Sequence, residues 1–214
     1  MNVTIAIVAI TCLVSWLAFN NRNLFDQLCH YPFAEFKRGE KYRWLTGGLI
    51  HADVFHLFIN MYVLYEFGKM VEYYFTEVHG MTGGMMMYVA FYFFTLVLSN
   101  LPTYLKHRDN AHFRAVGASG ATSACLRRGF IKLTDFSFIV FEPTAMLGLF
   151  FILPIPAVLF GILYLFYSSW AGKKNADNID HEAHFYGAIA GFLFTIAMKP
   201  ALFSLFIHKI VSVF

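Results

Sequence analysis

Three separated groups of polar residues interrupt otherwise apolar sequence, and each carries groups suited to acyl transfer. Ser119 stands in Gly117-Ala118-Ser119-Gly120. A hydroxyl there can cap a helix start by accepting a backbone N–H. It can equally be a nucleophile, because a helix N-terminus offers N–H groups and partial positive charge to an anion forming beside it. His184, in His181-Glu182-Ala183-His184, opens an apolar segment carrying Gly187 and Gly191. It reads as a general base or as a packing histidine, with His181 as the local competitor. Small residues four apart admit another backbone closely. Gly120 and Ala124 make a matching small face after Ser119. Contact between these faces would bring His184 near Ser119, since both head their segments. In the third group, His51, His56 and Asn60, the last two are four apart and share a helix face. Both can donate hydrogen bonds to a tetrahedral oxyanion. The spacing of five between His51 and His56, with asparagine for company, is poor for zinc, and no metal is expected.

The elements that must hold these groups are membrane helices. The 214 residues are 58% hydrophobic and 14% charged, against about 25% charged in a soluble domain. Residues 3–19, 81–105 and 143–172 carry no charge at all. About 20 apolar residues cross a bilayer, and in lipid such spans must be helices. The expected helices are about 3–19, 54–74, 81–99, 119–141 with an interruption near 127–135, 145–170 and 182–198. Pro154 and Pro156 should kink the fifth or displace its start. Residues 20–48 read as a polar-aromatic connection, and 199–214 as an apolar tail at the interface. Residues 3–19 lack a basic flank and a cleavage pattern, so they read as a retained helix. Cys12, Cys29 and Cys125 show no metal spacing. A net charge of +3 points to no nucleic-acid partner. Loops after helices one, three and five hold ten of the 16 Lys and Arg, which favours them as cytoplasmic.

A serine in Gly-x-Ser-Gly, a later Ala-His-x-x-Gly-x-x-x-Gly and an earlier His-x-x-x-x-His-x-x-x-Asn together resemble the rhomboid family of intramembrane serine proteases. The matches run in that family's order. Arg43, in Tyr42-Arg43-Trp44, resembles the Trp-Arg motif of the family's first loop. Glu72 matches its glutamate at the end of the second helix. The resemblance implies one all-α domain over 1–214, a six-transmembrane-helix bundle with a water-filled cavity opening outside the cytoplasm. That orientation is the reverse of the one the loop charges favour. It further implies that Ser119 attacks the scissile carbonyl and that His184 takes its proton, without a third acid. His56, Asn60 and the Ser119 N–H would form the oxyanion hole, and His51 would support the first loop or the cavity floor. Arg43 and Glu72 would be structural, and Gly117, Gly120, Gly187 and Gly191 would serve helix packing. No cofactor is implied. The substrate would be a transmembrane helix that unwinds near the membrane surface, admitted by a gate at the proline-bearing fifth helix. The location implied is a lipid bilayer crossed several times, the cell membrane if the source is bacterial.

Two features depart from the family. Four residues after the serine, where an aromatic often stacks on the histidine, stands Ser123. Arg127 and Arg128, with Lys132 and Asp135, follow on the helix meant to be central. Arg127 would lie roughly 12 Å below Ser119, where a charge costs about 2.5–3.5 kcal/mol. Removing 127–135 leaves an uninterrupted apolar helix, so about nine inserted residues are expected there. A regular helix from Ser119 through Phe141 with Arg127 facing lipid would overturn that expectation. The competing function is a catalytically impaired rhomboid-like protein that binds membrane clients. A small transporter would need an intramembrane carboxylate path, and Glu66 and Glu72 sit too near a helix end to make one.

Overall fold

The computed structural model describes residues 2–118, 139–140, 143–144, 146–149, 153–174 and 181–212. The architecture is mostly helical. Helix α1 (Val3–Phe19) starts where the Asn2 side chain accepts the Ile5 N–H at 3.2 Å. Its buried residues are Thr4, Thr11, Ser15 and Ala18. Leu13 and Trp16, by contrast, are each 61% exposed. A helix in water is patterned the other way round. Lipid tails are as apolar as leucine, so here large side chains face outward and small or polar ones face the neighbouring helices.

The stretch expected as a plain connection contains α2 (Arg22–Leu28), α3 (Pro32–Lys37), α4 (Arg43–Thr46) and a 3₁₀ turn (Gly47–Leu49). The Asn21 side chain caps α2 through the Leu24 N–H at 3.1 Å, and Pro32 occupies the first turn of α3, where no N–H is needed. Asp53 caps α5 (Val54–Val63) by accepting the His56 N–H at 2.7 Å. A π-helical turn (Leu64–Gly68) carries α5 into α6 (Lys69–His107). α6 is broken at Gly80, whose φ of 74° and ψ of 166° are not helical. Beyond it the chain folds back, with Gly84 against the Thr76 backbone and the Phe91 ring 5.6 Å from Phe75. Both limbs exceed their expected bounds of 54–74 and 81–99.

The helix expected over 145–170 begins only at Ala157. Before it, β1 (Met146–Leu149) and β2 (Leu153–Pro156) pair antiparallel, with Leu149 opposite Leu153. Prolines 154 and 156 have no N–H for a helical ladder, and the helix starts directly after the second. Helices α7 (Ala157–Lys174) and α8 (His181–Met198) follow. α9 (Ala201–Val211) leaves α8 at 113°. It buries Leu202 and Phe206 and exposes Phe203, Leu205 and Ile207. Of the helix expected over 119–141, residues 119–138 lie outside the described residues, including Ser123, Cys125 and the charged run 127–135. Ile139 and Val140 are buried.

Among the described residues one helical run, Val54–His107, is long and apolar enough to cross a membrane, or two counting the bent pair Ala183–Met198 and Ala201–Val211. Val3–Phe19 and Ala157–Trp170 are shorter apolar helices. An aromatic core joins the two limbs of α6 to α8, with Phe194 centred 5.6 Å from Phe91 and 5.2 Å from Phe94.

Glu72 fastens α1 to this core. Its carboxylate accepts the N–H groups of Val3 at 2.8 Å and Thr4 at 2.9 Å, and the Thr4 hydroxyl at 2.7 Å. The Tyr88 hydroxyl lies 3.1 Å from that same Thr4 oxygen. Gly68 leaves room for the cluster, since a Cβ there would meet the Tyr88 hydroxyl and Thr4. Glu72→Ala would strand three buried donors at the positive end of α1 and is expected to cost about 3 kcal/mol or more. Glu72→Gln, which keeps an acceptor oxygen, should lose less. The midpoint of thermal unfolding in detergent checks both, and equal midpoints for wild type and Glu72→Ala would refute the expectation.

Candidate functional site

The segment that leads into position 119 is held at four points. The Ala115 N–H donates to the His30 carbonyl and the His30 N–H to the Ala115 carbonyl, each at 3.0 Å. The Gly117 N–H donates to the Gly47 carbonyl at 2.9 Å. The Ala118 N–H donates to Nε2 of His51 at 3.4 Å. The chain between α6 and position 119 is therefore laid against the 3₁₀ turn and the start of α5, and Ala118 is fully buried.

His51 is also fully buried, and its hydrogen bonds define its tautomer. The Ser15 hydroxyl donates its one proton to the Leu49 carbonyl at 2.9 Å. Its oxygen, 3.0 Å from Nδ1 of His51, must then accept, so Nδ1 carries the hydrogen. That leaves the lone pair on Nε2 to receive the Ala118 N–H. Burial pushes the ring down to about 3, aided by His56 and opposed by Asp53, so it is neutral at physiological pH. A protonated ring could not accept from Ala118. His51 thus supports the approach to position 119 rather than reacting.

The His56 ring lies edge-on to His51, with centroids 5.0 Å apart. Half-buried, it makes no hydrogen bond through its ring nitrogens among the described residues. Asn60 is buried, and its Nδ2 donates to the His56 carbonyl at 3.1 Å, one turn back. The glycine between His30 and these rings has a different setting from the one expected. Gly117 lies on a loop, against the His56 ring of α5, and not within a helix. Its φ is 113°, and a Cβ there would come within 2.8 Å of His56 Cε1.

His184 sits in the first turns of α8, 5% exposed, and α8 packs chiefly against α6 and α7. Gly187 and Gly191 are buried along the same helix. Ser119 and Gly120 lie outside the described residues. Arg43, also buried, donates from Nη1 to the carbonyls of Asp26 at 2.8 Å and Cys29 at 3.0 Å, and from Nε to Glu40 at 2.6 Å. Among the described residues no three His, Cys, Asp or Glu side chains converge as a metal site. Three contributors escaped the motif search: Ser15, His30 and Glu35. The signal for Ser15 was available, because Thr4, Thr11, Ser15 and Ala18 form a small and polar stripe at helical spacing.

A family model described as the Rhomboid domain matches residues 38–201. The chain is 29% identical over 182 residues to an Arabidopsis thaliana protein named RHOMBOID-like protein 12, mitochondrial, a match covering 82% of this chain and 51% of the relative. It is 31% identical over 156 residues to Rhomboid-like protein 11, chloroplastic, of the same plant, covering 70% of this chain and 50% of the relative. The chain spans about half the length of these relatives.

Proposed function

The chain belongs to the rhomboid family of membrane proteins, and from that premise we propose that it is an intramembrane serine protease using Ser119 as nucleophile and His184 as base. The observation that carries the proposal is the four-point fixing of 115–118. An acyl-transfer site needs its nucleophile held in place, and four hydrogen bonds fix the segment that leads to Ser119. The bundle in this reading has six spans, with the two limbs of α6 as separate crossings. The Ser119 oxygen attacks the scissile carbonyl while His184 takes its proton. The oxyanion is received by the Ser119 N–H, His56 and Asn60. The Ala118 N–H is already engaged by His51 and does not contribute. His184 then protonates the leaving amine, and a water activated by the same ring releases the acyl product. The substrate is a transmembrane helix unwound near the bilayer surface. Arg43 and Glu72 brace the first loop and α1. The named relatives are mitochondrial and chloroplastic, so organelle membranes stand beside the cell membrane as settings.

One observation favours a second reading. Arg127 and Arg128 follow Ser119 by only eight and nine residues, a burden on a central helix that suits an impaired protein which binds membrane clients without cutting them. Covalent labelling by a fluorophosphonate separates the two. Labelling that requires Ser119 supports the protease, and a folded chain that never labels refutes it in favour of the impaired protein.

A further inference from the structure

A buried acid–base pair in the first loop has no part in the mechanism above. The His30 and Glu35 side chains are 2% and 0% exposed. Oε1 of Glu35 lies 2.7 Å from Nδ1 of His30 and accepts the Tyr31 N–H at 2.8 Å. Oε2 of Glu35 and Nε2 of His30 have no hydrogen-bond partner among the described residues. All the grip of the carboxylate therefore runs through one oxygen onto two consecutive residues. Burying an ionisable pair with half its hydrogen-bonding capacity unused is a poor route to stability. What it secures is position.

Residues 30 and 31 are the dock for the segment that ends at Ser119. His30 exchanges both backbone hydrogen bonds with Ala115. The Tyr31 hydroxyl donates to the Ala111 carbonyl at 2.9 Å, and the Arg114 guanidinium lies 4.2 Å from the centre of the Tyr31 ring. His30 also backs onto Gly47, where a Cβ would come within 3.0 Å of its own Cβ, and the Gly47 carbonyl holds the Gly117 N–H. Two of the four fixed points of 115–118 thus pass through His30 directly, and a third rests against it.

We propose that Glu35 and His30 are positioning residues for the nucleophile: the Glu35 carboxylate fixes the 30–31 backbone as the template on which 111–118 is laid. A local helix cap would account for the Tyr31 contact alone. It would not account for a buried imidazole on the same oxygen, nor for the docking of a segment 80 residues away.

Hydrogen exchange on the full chain in detergent tests this without any reliance on catalysis. With Glu35→Ala, exchange of the Ala115 and Gly117 amides should quicken by about tenfold, the loss of one hydrogen bond's worth of protection, and α8 should be unchanged. Glu35→Gln, which keeps an acceptor oxygen but not its charge, should quicken it by about threefold. Faster exchange confined to 30–37, with 115–118 as in wild type, overturns the inference. If Glu35→Ala is not recovered folded, Glu35→Gln decides alone, and unchanged exchange at Ala115 overturns it. The catalytic arm rests on the protease reading. There Glu35→Ala should lower kcat by about tenfold with KM little changed, and Glu35→Gln should recover most of it. A wild type that never labels refutes the protease while leaving the exchange result to decide the template.

Discussion

With alanine at Ser119, the folded chain is expected to take up no fluorophosphonate, and with alanine at His184 labelling and cleavage should slow by about 10²–10⁴-fold, the usual contribution of a general base. A serine hydroxyl is a weak nucleophile at its own pKa and needs a neighbouring base. In a two-residue system each partner depends on the other, so the double variant should be no slower than Ser119→Ala alone. What remains after either loss comes from the oxyanion donors and from binding. His184 is buried in the first turns of α8, so the thermal midpoint of His184→Ala must be measured beside its rate. A low rate with a wild-type midpoint assigns the loss to chemistry. Wild-type labelling in His184→Ala would remove it from the mechanism and turn attention to His181.

The residues proposed for catalysis stand out in the sequence because each of their motifs is local. His56 and Asn60 share a helix turn, Ser119 stands between glycines, and His184 heads a small-residue helix. Each is recognisable within about ten residues. The retained apolar character of 3–19, 54–107 and 181–198 was legible for the same reason. What was not legible depends on partners distant in sequence. The short helices α2, α3 and α4 form where Arg43, Glu35 and Tyr31 meet carbonyls and segments elsewhere, and nothing in 20–48 announces a period. Glu35 belongs to no motif in the sequence, yet it is fully buried, with His30 and the Tyr31 N–H sharing its oxygen. Ser15 lies on a small and polar stripe that the sequence displays, but nothing local announces that it fixes the tautomer of His51 across 36 residues. The strands before α7 replaced a helix because two prolines outweighed an apolar composition that would suit either.

Gly117 shows how such a distant partner converts into a measurable effect. It was expected to serve helix packing, but its neighbour is an imidazole. Two separate costs attend a side chain there. The φ of 113° is unfavourable for an L residue, worth about 1–3 kcal/mol. The added Cβ would also stand 2.8 Å from Cε1 and 3.1 Å from Nε2 of His56, an overpacking worth about 1–3 kcal/mol. Gly80, with φ 74° and nothing within 4 Å, carries the first cost without the second. Gly80→Ala is therefore the control, and the additional fall in thermal midpoint of Gly117→Ala measures the clash. The His56 ring cannot easily yield. It abuts His51, which Ser15 and Ala118 hold in place, so relief must come from movement of the 117–118 backbone. A displacement of about 1 Å at the nucleophile is enough to cost about 10²-fold in rate. Gly117→Ala is accordingly expected to label at least about 100-fold more slowly than wild type. Adding His56→Ala opens space for the methyl group and should restore part of the midpoint. It should not restore the rate, because it also removes the proposed oxyanion donor, and loss of such a donor costs about 10²–10³-fold on its own. Recovery of both midpoint and rate in the double variant would show that His56 is only a wall beside Gly117, and the oxyanion hole would then have to be built from Asn60 and the Ser119 N–H.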